Sequence, residues 1–388
     1  MIFRSCRAPI LFCLLAFTAC SDDDSAGPTA EALLNLGPNP VGYVRLSFTY
    51  RPAASMEDRT VPVEIWYPAA EATMPAIYRV AGIVEVPTDV AQATPPVSTA
   101  GPFPVAVYSH GNGGLGLVGY PFGEHLASHG FIVVAPDHVG NTALDGVAGQ
   151  LVPFVRSSLD RPQDVSATLD WLESNTEGVI AGQADTGRTL LFGHSFGGYT
   201  TFAAAGATPD LERLARGVCP DPDNANCTLL EDPAVRTAFE AGFLDPRIDA
   251  IVPQAPAIGS LPPASITGVT IPTMLQSGRL DQTTTQTQSA EPSWAAMDGE
   301  EDIWVEMEAG GHFTFLSICS DLTPDVIALF QPDAADDGCG PDFIRDTDAL
   351  PILEAYLLGF ARSHVLGEAG WEDILRGAPL GAGFVITN

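Results

Sequence analysis

A serine in a glycine-framed turn is the first candidate for chemistry. Residues 193–197 read Gly-His-Ser-Phe-Gly, which fits the pattern G-x-S-x-G. A predicted strand over 189–192 precedes this turn, and a predicted helix of small residues over 196–206 follows it. A strand, a sharp turn and a helix are the context that exposes a nucleophilic serine, and the two glycines let neighbouring backbones approach. The alternative is an ordinary glycine-rich turn, but the context favours Ser195 as a nucleophile.

A serine hydroxyl needs a base at neutral pH, and the chain has seven histidines. In a strand–turn–helix architecture of this kind the base follows a late strand. His312 does so, because it lies in Ala-Gly-Gly-His-Phe after a predicted strand over 303–307. Of the other histidines, His110 and His138 are expected to position loops. His194 is expected to point away from the serine, and His364 to lie at the surface.

The base in turn needs a carboxylate that orients its ring and stabilises its charged form. Asp281 lies in a turn after the predicted strand 271–276, one strand before His312. Asp245 and Asp249 come before a strand, at the wrong end of the sheet, and Asp137 precedes the nucleophile. The sequence therefore predicts Asp281 as the acid.

A developing oxyanion requires two preorganised N–H donors. The amide of Phe196, directly after the serine, is one candidate. The glycine-rich loop 110–114 offers the other, with Asn112 as the expected donor, although a simple β-to-α turn is the alternative. Four aromatic residues near these loops are candidates for lining an apolar substrate pocket, with ordinary packing as the alternative: Tyr120, Phe122, Phe313 and Phe315.

The N-terminal residues are typical of a targeting segment. Two arginines precede an apolar run over 8–19, which is too short to span a bilayer and suits the core of a signal peptide. The run ends in Ala-Phe-Thr-Ala-Cys, which resembles a bacterial lipobox with Cys20 as the lipidated residue; plain secretion is the alternative. We expect a signal peptide over 1–19, an acidic tether over 20–42, and an outer-membrane or periplasmic lipoprotein.

Four cysteines remain after the segment that ends at Cys20. An even number in an exported chain favours two disulfides, and proximity favours the pairs Cys219–Cys227 and Cys319–Cys339 among three possible pairings. A metal site is the rival, but no histidine lies near either pair, so no metal is expected. The pairs fall in two long stretches, 208–245 and 319–346, which we expect to form disulfide-stapled insertions near the mouth of the site.

The charge of the chain narrows its possible partners. There are 48 acidic and 17 basic residues, the formal net charge is −31, and all the basic residues are arginines. A chain this acidic is poorly suited to binding nucleic acid or anionic lipid. Membrane attachment is therefore expected only through a lipid on Cys20. The absence of lysine also removes serine–lysine catalysis. We expect a monomer without a cofactor.

Short apolar segments alternate with helical ones from residue 103 onward. This alternation predicts an α/β fold, with a mostly parallel sheet covered by helices on both faces, in a single domain over 43–388. Antiparallel strands are expected over 44–50 and 61–67. The stretch 68–102 is rich in Ala, Pro and Thr and is expected to be irregular.

Several segments together resemble the α/β-hydrolase superfamily. They are SHGNGG, LASHGFIVVAPDHVGNT, RPQDVSATLDWL, GHSFGGYT and AGGHFTFLSIC. The branch they resemble contains bacterial relatives of platelet-activating-factor acetylhydrolase, described as predicted dienelactone hydrolases. The resemblance covers roughly 44–366 and implies an eight-stranded, mostly parallel sheet and cofactor-free hydrolysis of esters. It places the nucleophile on Ser195, the base on His312, and the oxyanion donors on the amides of Asn112 and Phe196.

Three departures qualify this resemblance. The animal phospholipase branch has its acid after the strand that follows the elbow, where this chain reads Pro-Gln-Ala-Pro over 253–256. The acid is therefore expected one strand later, at Asp281. Dienelactone hydrolases use a cysteine nucleophile, whereas this chain has Ser195. The chain is also similar to cutinase-type polyester hydrolases, which carry Tyr and Met where Asn112 and Phe196 stand.

The sequence thus predicts a serine-dependent carboxylic ester hydrolase acting through an acyl-enzyme, on a short-to-medium acyl ester. The alternatives are a polyester hydrolase, a lipase or phospholipase A2-type acetylhydrolase, and an amidase or peptidase. A surface-anchored binding protein without catalysis is the rival from another class. The partner is expected to be a small-molecule or polymeric ester.

Overall fold

A computed structural model describes residues 27–388, apart from 81, 83 and 222. The predicted signal peptide over 1–19 and the predicted lipidation site Cys20 lie outside the described residues. Residues 30–42, assigned to the tether, are packed on the domain instead. Helix α1 (Ala30–Leu34) contacts the last long helix of the domain, and Leu33 is fully buried in the core. The boundary expected at 42 was therefore set too late, because one apolar side chain docks this segment.

Eleven strands form one sheet within the described residues. They are β1 (Val41–Tyr50), β2 (Arg59–Pro68), β3 (Pro75–Val80), β4 (Val84–Ala93), β5 (Phe103–Ser109), β6 (Ile132–Pro136), β7 (Ala184–His194), β8 (Ile248–Gln254), β9 (Met274–Gly278), β10 (Ile303–Met307) and β11 (Phe384–Thr387). Their order is β11-β10-β9-β8-β7-β5-β6-β2-β1-β4-β3. The six strands from β6 to β10 are parallel, and the flanking strands add antiparallel pairs.

The described residues also form thirteen further α-helices. They are α2 (Tyr120–Ser128), α3 (Ala143–Ala148), α4 (Phe154–Ser174), α5 (Phe196–Ala204), α6 (Leu211–Val218), α7 (Ala225–Glu231), α8 (Pro233–Ala241), α9 (Pro263–Ile266), α10 (Ala290–Ala296), α11 (Ile318–Asp321), α12 (Pro324–Phe330), α13 (Asp346–His364) and α14 (Trp371–Leu375). Residues of α2 and α13 fill the core on one face, and residues of α4 and α5 fill the core on the other. In β5, Ala106 belongs to the first core and Val105 and Val107 to the second, as a period of two requires.

The sheet confirms the predicted α/β class, with three strands more than the eight expected. Two of them, β3 and β4, lie in the stretch 68–102 that was expected to be irregular. Ala76 and Tyr78 are buried while Ile77 between them is 53% exposed, which is the alternation of a half-buried strand. The proline-rich composition hid this alternation, and such composition is tolerated because β3 is an edge strand. The third addition, β11, pairs with β10.

The apolar spacing of the sequence predicts a helix over 161–174. Helix α4 begins seven residues before that start, at Phe154. The expectation placed Pro162 in the first turn, but the helix passes through it. A proline has no N–H to donate to the carbonyl four residues earlier. That carbonyl, on Ser158, accepts a hydrogen bond from the Tyr199 hydroxyl at 3.0 Å instead. The neighbouring helix α5 therefore satisfies the group that the proline leaves without a partner.

The loops that carry the predicted site residues follow the carboxyl ends of parallel strands. β5 and β7 lie side by side, yet the chain between them visits β6 on the far side of β5. The strand order therefore reverses at β5 and β7. Ligands of open α/β sheets bind at such a point, outside the carboxyl ends of the strands.

Candidate active site

Ser195 lies in a strained turn between β7 and α5. Its φ is 58° and its ψ is −113°, a region that residues other than glycine rarely adopt. The Ser195 N–H donates to the carbonyl of Gln254 at 2.8 Å, and its own carbonyl accepts from Gly198 N at 2.9 Å. Hydrogen bonds on both sides hold the strained conformation, and the side chain stands at the start of the helix.

The two glycines of the motif are required by a close approach to β5. A Cβ on Gly197 would lie 1.8 Å from the carbonyl oxygen of Ser109, and a Cβ on Gly193 would lie 2.7 Å from the same atom. Both distances are far below van der Waals contact. The G-x-S-x-G pattern is therefore explained by packing of the turn against the end of the neighbouring strand.

Asp281 and His312 form a buried pair at the ends of β9 and β10. His312 Nδ1 lies 2.9 Å from Asp281 Oδ2, and both residues are less than 7% exposed. The amides of Thr283 and Thr284 donate to Asp281 Oδ1 at 2.9 and 2.7 Å, and the Thr284 hydroxyl donates to Oδ2. Burial favours the neutral acid, but the bonds from His312 and Thr284 outweigh it and lower the pKa of Asp281. The carboxylate therefore stays ionised and holds Nδ1, which leaves Nε2 for chemistry.

Ser195 and His312 border one cavity of about 250 Å³. Among the described residues no hydrogen bond joins their side chains, an arrangement common in sites without substrate. The aliphatic part of the lining comes mainly from the loop after β5, the segment around His312 and the second insertion: Leu115, Val118, Leu316, Ile318, Leu322 and Ile327. Of the four aromatic candidates only Phe313 lines this cavity. Phe122 and Phe315 are buried in the core, and Tyr120 donates to Asp321 at 2.9 Å.

The amides of Asn112 and Phe196 have no acceptor among the described residues. The Phe196 amide lies at the first position of α5, where the helix itself provides no acceptor. Asn112 lines the cavity with Ser195, and its side-chain oxygen accepts from Asn141 Nδ2 at 2.8 Å. Both amides predicted as oxyanion donors are thus unoccupied.

Arg161, for which the sequence predicted no role at the site, contacts both segments that carry the predicted donors. It is fully buried on α4 and donates to the carbonyl of His110 and to Asn141 Oδ1. Its guanidinium also stands 4.6 Å from the centre of the Phe196 ring. One side chain therefore contacts the loop of Asn112 and the residue after the nucleophile. Burial lowers the pKa of Arg161 to about 9, so it remains cationic at neutral pH.

Three buried residues under the Asn112 loop form a second serine–histidine–aspartate chain. His138 Nδ1 lies 2.9 Å from Asp164 Oδ2, and His138 Nε2 lies 2.9 Å from Ser109 Oγ. The His138 amide also donates to His110 Nε2 at 3.0 Å. All are fully buried, so they have no access to substrate. They hold the loop in place, as the sequence predicted for His110 and His138.

His194, which was expected to point away from the serine, contacts the loop of the predicted base. His194 Nε2 lies 2.8 Å from the carbonyl oxygen of His312, and the two rings are 4.6 Å apart. Burial, followed by the proximity of His312, lowers the pKa of His194 to about 3. It is therefore neutral and donates to that carbonyl. His364, expected at the surface, is also largely buried, with its ring 4.4 Å from Phe360.

The two predicted disulfides are present, Cys219–Cys227 and Cys319–Cys339. Only the second insertion, 319–346, contributes residues to the cavity with Ser195; the first, 208–245, contributes none. Across the described residues there is no group of three or more His, Cys, Asp or Glu able to hold a metal ion. None of the helices described there is long and apolar enough to cross a membrane.

Comparisons with known proteins show which solved structures and families the chain is similar to. A solved structure of ferulic acid esterase from Streptomyces cinnamoneus superposes with a TM-score of 0.61, covering 94% of this chain and 98% of that one at 20% identity. The chain has the α/β-hydrolase fold. A family model described as chlorophyllase matches residues 72–215 of it.

The curated relatives of this α/β-hydrolase-fold chain are similar only in part. Platelet-activating factor acetylhydrolase of Cavia porcellus is 26% identical, over 47% of this chain and 51% of that protein. Cutinase est2 of Thermobifida alba is 33% identical, over 23% and 26%. Cutinase 2 of Thermobifida cellulosilytica is 29% identical, over 36% and 47%. The chain thus spans about half or less of the length of the curated relatives it matches.

Proposed function

We propose that this protein is a serine-dependent carboxylic ester hydrolase with Ser195 as nucleophile, His312 as base and Asp281 as acid. The observation that carries this proposal is the buried Asp281–His312 pair, 2.9 Å apart, whose histidine borders the same cavity as a serine in a strained strand–helix turn. The similarity to an acetylhydrolase and to cutinases supports it.

The reaction proceeds in two steps. Ser195 Oγ attacks the ester carbonyl carbon while its proton passes to His312 Nε2, and the amides of Asn112 and Phe196 stabilise the oxyanion. The intermediate collapses, the bond to the alkoxy oxygen breaks, and that oxygen takes the proton from His312. A water molecule then gives a proton to His312 and attacks the acyl-enzyme. The acid leaves and the proton returns to Ser195. Asp281 keeps the ring in one tautomer and stabilises its charge.

The cavity favours an uncharged ester with a short-to-medium apolar acyl group. Its volume is about 250 Å³, the surface of its walls is mostly apolar, and no arginine is among the residues that line it. A phosphate-bearing lipid therefore finds no cationic partner within this cavity, which favours simple esters over phospholipids.

A second candidate, hydrolysis of a polyester, is favoured by an adjoining cavity of about 450 Å³. The two cavities share Asn112, Gly113 and Ala143. The second is bordered by exposed apolar side chains, with Val147 71% and Leu329 73% exposed. An open apolar surface beside the scissile bond suits an extended substrate. Release of soluble products from a polyester film would support this candidate, and hydrolysis of p-nitrophenyl esters alone would count against it.

Replacing the nucleophile is the direct test. We expect Ser195→Ala to reduce hydrolysis of p-nitrophenyl acetate and butyrate by about 10³-fold or more, since nucleophile and base act as a unit. A fluorophosphonate should label the wild-type protein and leave the variant unlabelled. Ser174→Ala, at an exposed position, is the control and should behave as wild type. Turnover by Ser195→Ala near the wild-type rate would overturn the assignment, and an unlabelled wild type would favour the binding-protein rival.

Export is part of the same proposal. Two disulfides are typical of proteins that reside outside the cytoplasm. The lipid anchor at Cys20 stays a prediction from the sequence, which incorporation of a radiolabelled fatty acid would test. A Cys20→Ser variant that is labelled as strongly as the wild type would overturn it.

A further inference from the structure

A second buried carboxylate, on Asp337, connects the loops of the proposed acid and base. Asp337 Oδ1 accepts from the amide of Gln282 at 3.0 Å and from the amide of His312 at 2.9 Å. Its Oδ2 accepts from the Thr283 hydroxyl at 2.8 Å. Asp337 is 3% exposed. One carboxylate therefore binds the residue after Asp281 and the backbone of His312 at the same time.

The backbones of the same segments are also in direct contact. The carbonyl of Asp337 accepts from the amide of Phe313 at 2.9 Å, and the side chain of Gln282 donates to the carbonyl of Asp336. A Cβ on Gly311 would lie 2.6 Å from the carbonyl carbon of Asp337. No larger residue fits at that contact, so the insertion and the base loop are packed without a gap.

The Cys319–Cys339 disulfide holds Asp337 in this position. Cys339 is two residues after Asp337, and its amide donates to the carbonyl of Ala334 at 2.8 Å. Its partner Cys319 lies on α11, directly after the segment that carries His312. The disulfide thus closes a ring of chain that begins beside the base and returns to it through Asp337.

Asp337 does not compete with Asp281 for the imidazole. Its carboxylate contacts the main chain of His312, whereas Asp281 contacts the ring nitrogen Nδ1. The two carboxylates therefore have different tasks, since one touches the ring and the other touches only the loops that carry the pair.

We propose that Asp337 is a positioning residue for ester hydrolysis, which sets the separation of the acid loop and the base loop. This proposal rests on the function proposed above. Charge-assisted bonds to a carboxylate are stronger and shorter than neutral ones, so this residue is suited to hold two loops in register. A misplacement of about 1 Å in a catalytic pair reduces the rate by up to about 10²-fold.

The test compares Asp337→Ala with Asp337→Asn. Asparagine keeps an oxygen at the Oδ1 position for the two amides, and its NH2 group can donate to the Thr283 hydroxyl. We expect Asp337→Ala to lower kcat about 10- to 100-fold with KM within about threefold, and the rate of fluorophosphonate labelling to fall by a similar factor. Asp337→Asn should restore kcat to within about fivefold of wild type.

Asp336→Ala is the matched control, because its exposed side chain is adjacent in the same insertion and only its main chain is engaged. It should retain wild-type kcat and KM. Thr283→Val is a second test, which removes the hydroxyl bond to Oδ2 and keeps the approximate shape of a side chain that also lines the cavity. It should lower kcat by about threefold or more, by the same misplacement argument.

Several outcomes overturn the proposal. Wild-type kcat in folded Asp337→Ala would do so, as would an Asp337→Asn variant as impaired as Asp337→Ala, or a loss confined to KM. Where Asp337→Ala does not fold, unchanged kcat in Thr283→Val would overturn the proposal. If Ser195→Ala retains turnover, the proposed function itself fails. If Ser195→Ala is inactive and folded Asp337→Ala is fully active, only the positioning role of Asp337 fails.

Discussion

The two insertions each have one disulfide and an excess of acidic residues, but they contact different parts of the molecule. The first, 208–245, forms α6, α7 and α8 and packs along α4. Its apolar residues Leu230 and Phe239 are buried in the core on that face, and Asn226 accepts from the amide of Val155 at 2.9 Å. The second insertion, 319–346, lines the cavity beside Ser195 and provides Asp337.

The difference follows from where each insertion joins the sheet. The first leaves the end of α5 and returns to the start of β8, so both of its ends lie toward the amino edge of the parallel strands. The second follows β10 at its carboxyl end, where the loops of an α/β sheet form ligand sites. Both insertions have a disulfide and an excess of acidic residues. Neither feature therefore distinguishes the insertion that lines the cavity from the one that packs on α4.

The largest expected effect lies on α4, which supports the first insertion and also carries Arg161. We expect Arg161→Lys to lower kcat by about 10²-fold, because lysine cannot bridge the carbonyl of His110 and Asn141 while stacking on Phe196. Steady-state kinetics on p-nitrophenyl butyrate measure the loss. Arg156→Lys, on the same helix and paired with Asp160, is the control. An equal loss in both variants would mean that α4 acts on the site as a whole.

Removing each disulfide in turn tests whether the two insertions differ in their effect on the site. Replacing Cys219 and Cys227 by serine, or Cys319 and Cys339, should each lower the free energy of unfolding by about 2–4 kcal/mol. Where both variants are still folded, we expect the second to lose about tenfold in kcat, because Asp337 loses its anchor, while the first stays within about twofold. Denaturant unfolding and initial rates measure the two effects. Equal kcat losses would contradict the distinction between the insertions.

The smallest expected effect concerns substrate preference. Ile327 of the second insertion lines the cavity, whereas Val235 of the first is buried away from it. Ile327→Ala should raise KM for p-nitrophenyl octanoate relative to acetate by about 3- to 10-fold, since apolar contacts with the acyl chain are lost. Val235→Ala should lower stability by about 1–2 kcal/mol and leave the octanoate-to-acetate ratio unchanged. A shift of that ratio in Val235→Ala would count against the assignment of the acyl cavity.

Much of the fold was predictable, since the α/β class, most strands and both disulfide pairs were expected. The strands missed were β3, β4 and β11, which are short or rich in Pro, Ala and Thr and depend on pairing with neighbours rather than on a strong local pattern. The start of α4 was missed for a related reason. A proline normally marks the first turn of a helix, and only Tyr199 on a neighbouring helix makes Pro162 acceptable inside one.

The residues of the candidate site also fall into those that the sequence predicted and those that it did not. Ser195, Asp281, His312, Asn112 and Phe196 were expected together because each follows a strand of the parallel sheet, and the structure brings them to one edge; their roles remain proposals. The contacts of His194, Arg161 and Asp337 had no counterpart in the sequence pattern. These residues reach partners 118, 51 and 25 positions away.

The local features of this protein were predictable from its sequence alone. The glycines of the serine turn, the alternation of strands and helices, and the pairing of nearby cysteines each leave a short-range signature, because backbone geometry and loop closure act over a few residues. Only the tertiary structure shows which insertion lines the cavity beside Ser195 and which buried side chains contact the loops of the site. A hydrogen bond between segments that are distant in sequence imposes no periodicity on either of them, so only the folded chain reveals it.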